Sequence, residues 1–222
     1  MPFKSVVLRI GSAIVLGVSL KAGIILQPVS VSSPQGSFSS SLGLPKMIDQ
    51  SGLSAAYVSG ATDFATYAAA TTHNGLNSAN SGFTNTGGGF PQTITFSFGS
   101  AVPLGGFAFW ATGNIGSVTQ FTLFGDSDNN FSNGTSGQLG GIFNTLANGG
   151  VVSPAQVFAF GAATAQFVHM RVLNTAGGTG LFPGVGEIAF DSTSVPEPNT
   201  VGLIGAGLVL VACLRRRGGS HS

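Results

Sequence analysis

The side chains equipped for chemistry are few and scattered. His73 stands beside Asn74 in a polar stretch, residues 71–81, the kind of segment where binding groups concentrate. An imidazole beside a planar amide suits the oriented hydroxyls of a sugar, so His73 and Asn74 are the predicted ligand-binding pair. Phe83, Phe182 and Trp110 are candidate stacking platforms, although Trp110 ends an apolar run and reads more naturally as core. His169 and Arg171 alternate along one segment and therefore share a face. They are either half of a sugar or carboxylate site or an Arg that ties down a neighbouring loop. Asp126-Ser127-Asp128-Asn129-Asn130 opens like a calcium loop, but its sixth position is Phe131 rather than Gly and its twelfth is Gly137 rather than Glu. A turn that caps its own backbone is the simpler reading. Gly184, Gly186 and Ala189 match a dinucleotide fingerprint in spacing alone, because no helix follows them. No serine-hydrolase elbow and no zinc-protease helix motif is present, and the third histidine is His221 near the chain end. Composition leaves open a glycosidase with two distant carboxylates, but the chain reads as a non-enzyme.

Charge is sparse and segregated. The 222 residues hold eight Lys or Arg and seven Asp or Glu, 7% charged against about 25% in ordinary domains. Lys4, Arg9 and Lys21 lie at the start and Arg215, Arg216 and Arg217 near the end. Between residues 34 and 194 the cations Lys46 and Arg171 face six carboxylates, so that region has no basic footprint for a nucleic-acid backbone. Without its ends the domain is predicted to be acidic, with an isoelectric point of about 4–5 from reference side-chain values. The single cysteine, Cys213, excludes an internal disulfide.

The elements that must position these residues are short strands. Residues 93–98 alternate strictly, with Ile94, Phe96 and Phe98 on one face and hydroxyls on the other. Similar runs at 107–111, 118–124, 156–160, 167–173 and 185–190 are bounded by Gly, Asn, Asp or Pro. One helical turn around 65–70 is the exception. This pattern predicts an antiparallel sandwich or barrel.

Both ends read as targeting segments. Residues 1–32 have early cations, an apolar run interrupted by Lys21, and Ser30-Val31-Ser32 as the best small-x-small cleavage candidate. At the other end, Pro196-Glu197-Pro198 precedes an apolar run of 14 residues, 201–214, and then three arginines. The run is shorter than the roughly 20 residues of a comfortable span, and the arginines place the C-terminus in the cytoplasm. This order of parts resembles the PEP-CTERM sorting signal of exported bacterial proteins. The resemblance implies that an exosortase-type membrane enzyme reads Pro196, Glu197 and Pro198, with Arg215, Arg216 and Arg217 completing the signal.

The middle of the chain carries a second pattern. Met47-Ile48-Asp49-Gln50-Ser51-Gly52 opens it, the 92–99 run leads into Gly106-Phe107-Ala108-Phe109-Trp110, and Gly184-Val185-Gly186-Glu187-Ile188-Ala189-Phe190 closes it. In that order the segments resemble the discoidin, or coagulation factor V/VIII C-type, domain of the galactose-binding-like jelly rolls. The resemblance implies an all-β antiparallel jelly-roll sandwich of eight strands that binds glycans or lipid head groups. It also implies a structural calcium, held here by Asp63, Thr72 and Glu187.

The predicted organisation is a signal peptide (1–32), a linker (33–46), the sandwich (47–191), a second linker (192–200), a transmembrane helix with its Arg cluster (201–217) and a tail (218–222). The expected protein crosses the inner membrane, is anchored there transiently, and reaches the cell surface or extracellular matrix. There it binds glycan or exopolysaccharide. A matrix or adhesion protein with no specific ligand is the alternative.

Overall fold

A computed structural model describes residues 23–74, 78–85, 89–113, 116–147, 152–178 and 181–193. The leader before Gly23, the Pro-Glu-Pro motif, the apolar run and the arginines lie outside the described residues. Among those described, no helix is long and apolar enough to cross a membrane.

The architecture rests on a bent ribbon of two long strands, β5 (Gln92–Trp110) and β9 (Gln156–Thr175). They pair antiparallel from Gln92↔Val172 to Phe109↔Gln156, with register breaks between Ser97 and Val102 and between Leu104 and Gly106. Gly99, at φ 75°, turns the ribbon at the first break in a conformation that side chains with a Cβ resist. At the second, a Cβ on Gly106 would fall 2.6 Å from the Phe158 carbonyl, so only glycine allows the two backbones to approach. The bend folds one hydrogen-bonded sheet into two layers. β1 (Ile25–Leu26) and β11 (Glu187–Asp191) extend the half of β5 that ends at Trp110. β2 (Ser30–Ser32) flanks the other half of β5, and β6 (Val118–Asp126) and β7 (Gly137–Asn144) continue from β9. Two small pairs join β3 (Thr72–His73) to β8 (Ser153–Pro154) and β4 (Gly82–Phe83) to β10 (Gly184–Val185).

Between the layers lies an aromatic core. Ile94, Phe96 and Phe98 point inward at every second residue, as their alternation predicts. Phe107 meets Phe121, Phe143, Phe158 and Phe190 at centroid separations of 5.1–6.3 Å. Each buried Phe contributes up to about 3 kcal/mol relative to exposure. A second cluster, Ile25, Tyr57, Phe64, Tyr67 and Trp110, fills the space under the helix α1 (Phe64–Ala70) on the outside of the β11 layer. Asp63 caps that helix by accepting from the Thr66 N–H at 2.8 Å.

The sandwich is antiparallel, as predicted, but it starts earlier than residue 47. Residues 23–32, assigned above to the signal peptide, and part of the expected linker (33–46) are built into it. Ile25 is fully buried against β11 and α1, Val31 pairs with Phe96, and Leu44 and Met47 enter the core. The end of the apolar run that resembles a leader is here strand β1, Ile25–Leu26.

Candidate functional site

The outer face of the β2–β5–β9–β6 layer carries a row of directly opposed residues. Ser32 pairs with Thr95, Thr95 with His169, and His169 with Phe124. Their inward neighbours are core, so strand alternation forces this row outward. The segment after β6, residues 127–135, folds back over it. Phe131 sets its ring 5.0 Å from Phe124 and 5.1 Å from His169. The result is a cavity of about 460 Å³ with Thr93, Thr95 and His169 as floor, residues 32–34 as one wall, and Asn129, Asn130, Phe131 and Ser132 as the other.

The covering segment holds itself by side chain to backbone bonds. Asp126 Oδ1 accepts from the Ser127 N–H and the Thr135 hydroxyl, Asp128 from the Asn130 N–H and the Asn133 amide, and Asn130 from the Ser132 N–H. This is the self-capping turn expected of Asp126-Ser127-Asp128-Asn129-Asn130.

His169 is 1% exposed. Its Nδ1 is hydrogen-bonded to Thr95 Oγ1 at 2.9 Å, and its Nε2 lies 3.8 Å from Asp126 Oδ2. Burial lowers the imidazole from its ordinary value of 6.5, against the opposing pull of Asp126 and Asp128, so it is neutral at pH 7. Hydroxyl, imidazole and carboxylate stand in the order of a hydrolytic triad. At 3.8 Å, however, the orienting imidazole–carboxylate hydrogen bond is not made. The cavity instead offers an apolar ring, two amides, several hydroxyls and a neutral imidazole, a set suited to an uncharged polyhydroxylated ligand.

The predicted pair is elsewhere. His73 is 0% exposed in β3, enclosed by two glycines remote in sequence. A Cβ on Gly52 would fall 2.1 Å from its Nε2, and one on Gly186 would fall 2.9 Å from its Nδ1. Nε2–H donates to the Asn80 carbonyl at 3.1 Å, and burial lowers this imidazole as well. His73 is thus a packing residue and is not presented to a ligand, while Asn74 beside it is exposed. Trp110 is buried and donates to the Thr71 carbonyl, and Phe83 is buried too, so neither is a sugar platform. Arg171 is exposed on the same face as His169, next to Thr93 but outside the cavity lining.

The three residues implied as calcium ligands do not meet. Asp63 caps α1 and pairs with Ile24 beside Asp191, at one end of β11. Glu187 is at the other end, four residues along the strand, about 13 Å away. Thr72 pairs with Pro154 and exchanges bonds with Ser54. Glu187 is buried and accepts from the Gln50 N–H at 3.0 Å. Burial holds its carboxyl well above the usual range. Among the described residues no three His, Cys, Asp or Glu come together as a metal site. Asp63, Thr72 and Glu187 therefore do not fit one calcium ion.

Sequence reasoning missed Phe131 and the cavity it roofs. The available signal was the aromatic residue at the tip of an Asn-rich turn, where a calcium loop would need glycine.

Residues 194–217 match the PEP-CTERM protein-sorting motif, a signal for export and sorting to the cell surface or extracellular space. No curated protein matches the chain. Among solved structures, the chain is similar to part of a structure that holds the two family 32 carbohydrate-binding modules of Clostridium perfringens ZmpB, with TM-score 0.50 and 12% identity over 76% of this chain and 37% of that one. It also matches the family 32 module of Clostridium perfringens NanJ in complex with galactose, with TM-score 0.48 and 14% identity over 77% of this chain and 99% of that one. The chain therefore joins a C-terminal protein-sorting motif to a β-sandwich of the fold seen in family 32 carbohydrate-binding modules.

Proposed function

We propose that this is an exported, non-catalytic module that binds glycan or exopolysaccharide at the cell surface or in the extracellular matrix. An exosortase-type enzyme reads Pro196-Glu197-Pro198 and releases the sandwich from a transient anchor in the inner membrane. The observation that carries the binding role is the cavity over His169, which pairs the Phe131 ring with Asn129, Asn130, Thr93 and Thr95. Sugar C–H faces pack on an aromatic ring while hydroxyls find planar and hydroxylic partners. Among the described residues no Lys or Arg lines the cavity, so the contact relies on packing and hydrogen bonds rather than on charge.

The test is retention of the exported protein on the producing organism's own polysaccharide and on a glycan array, at low and high salt. Phe131→Ala should lower retention at least tenfold, with the melting temperature within about 3 °C of the parent. Binding that disappears in high salt, or that survives Phe131→Ala, would overturn this site. Absence of glycan binding in the parent would leave the structural or adhesive role instead.

A further inference from the structure

We propose that the exported chain begins at Gly23, and that the α-ammonium freed there pairs with the carboxylate of Asp191. The backbone from Gly23 onward is committed to the fold. The Gly23 carbonyl accepts from the Phe64 N–H at 2.9 Å, at the start of α1. The Ile24 N–H donates to Ser192 Oγ, and the Ser192 N–H returns a bond to the Ile24 carbonyl. Ile25 is buried, its N–H donates to Thr62, and it pairs with Asp191. A cut after Ser32, the best candidate by sequence, would remove β1 and β2 and strip one edge from both β11 and β5. Processing has to lie at or before the Ala22–Gly23 bond. Ala22 supplies the small residue that a leader peptidase requires directly before its cut, although Leu20 rather than a small residue stands two positions earlier.

The second observation is electrostatic. Asp191 Oδ1 is buried and has no hydrogen-bond partner. A Cβ on residue 23 would fall 1.9 Å from that oxygen, which is why the position is glycine. The Gly23 nitrogen lies about 2.5 Å from the same Cβ point, hence within about 4.4 Å of the oxygen. Asp63, paired with Ile24, adds a second negative charge nearby, and burial together with Asp63 pushes Asp191 up to about 6. The cations of the described sandwich are committed elsewhere: Lys46 pairs with Asp49, and Arg171 faces outward on the opposite layer. Lys21 departs with the leader. Hydrolysis of the Ala22–Gly23 amide by a membrane-bound leader peptidase breaks the C–N bond and consumes one water. Ala22 leaves as a carboxylate, and the Gly23 nitrogen takes up protons to become the missing cation.

The intact mass and N-terminal sequence of the exported protein, produced from the full chain in a secreting bacterial host, test the cut. Gly23 is the expected first residue; a start at Ser33, any other start or a retained leader overturns the proposal. The pair is tested on the same exported protein with Asp191→Asn, expected to melt about 2–4 °C lower at pH 7. That difference should close as pH rises toward 10 and the amine, ordinarily titrating at about 8, loses its proton. A difference that persists unchanged to pH 10 overturns the pair. If Asp191→Asn does not fold, the pH dependence of acylation at the α-amine of the unmodified protein decides: a titration shifted above 8 supports the pair, and an ordinary one overturns it.

Discussion

The two described histidines are both buried, and what covers them differs. His73 lies on the α1 side of the sandwich, enclosed by Gly52 and Gly186, with its donor spent on a backbone carbonyl. His169 lies on the outer face of the other layer, under a self-capped turn, and forms part of the floor of a cavity of about 460 Å³. Burial alone therefore does not separate a packing residue from one proposed to line a binding cavity. What covers the ring separates them. Glycine backbone close on two sides leaves no room for a ligand, whereas a turn that carries one aromatic ring leaves an open cavity.

The largest effect should come from the closed histidine. His73→Ala leaves a void between two glycines and strands the Asn80 carbonyl, a loss of about 3 kcal/mol, or about 6–12 °C in melting temperature. Polysaccharide retention by the surviving folded fraction should be unchanged. A melt within 2 °C of the parent, or a loss of retention without loss of fold, would dissolve the distinction between the two sites.

His169→Ala should show the reverse balance. It removes the bond to Thr95 and opens space that already adjoins a cavity, so the surroundings lose less, about 1–2 kcal/mol by chemical denaturation. Polysaccharide retention should fall at least tenfold. Equal destabilisation by the two alanine variants would mean that the turn over His169 is as rigid as the backbone around His73.

Parts of this contrast are legible in the sequence and parts are not, for physical reasons. The alternation at 93–98 fixes which residues face the core, and the alternation along their own segment places His169 and Arg171 on one face. Asp126-Ser127-Asp128-Asn129-Asn130 announces a turn that bonds to itself, and the structure shows that turn. The length of β5 and β9 is not legible, because Gly99, Pro103 and Gly105 signal strand ends while here they lie within a bent ribbon. Pro103 keeps its place opposite Thr164. Nor does the burial of His73 follow from its neighbours, which are polar; it depends on Gly52 and Gly186, supplied by distant segments. The strands at Ile25 and Val31 are hidden for another reason. An apolar run that enters a translocon and one that enters a core have the same composition.

The smallest effect is in protonation, and it sharpens the comparison most finely. Burial lowers both imidazoles from 6.5. A base whose folded value is depressed contributes stability that is present above pH 6.5 and is lost as pH falls below it, because the unfolded chain takes up protons first. Glu187 acts with the opposite sign: its raised carboxyl gains stability as acid protonates it. A melt against pH therefore blends the two, and imidazole NMR resonances separate them. Both rings should titrate below 6.5. His169 should protonate first as pH falls, since Asp126 lies 3.8 Å from its Nε2, whereas His73 has only a carbonyl and the partly exposed Asp49 to favour its cation. The reverse order would show that the turn over His169 excludes water as completely as the backbone around His73, and the cavity would then be a poor entrance for a sugar.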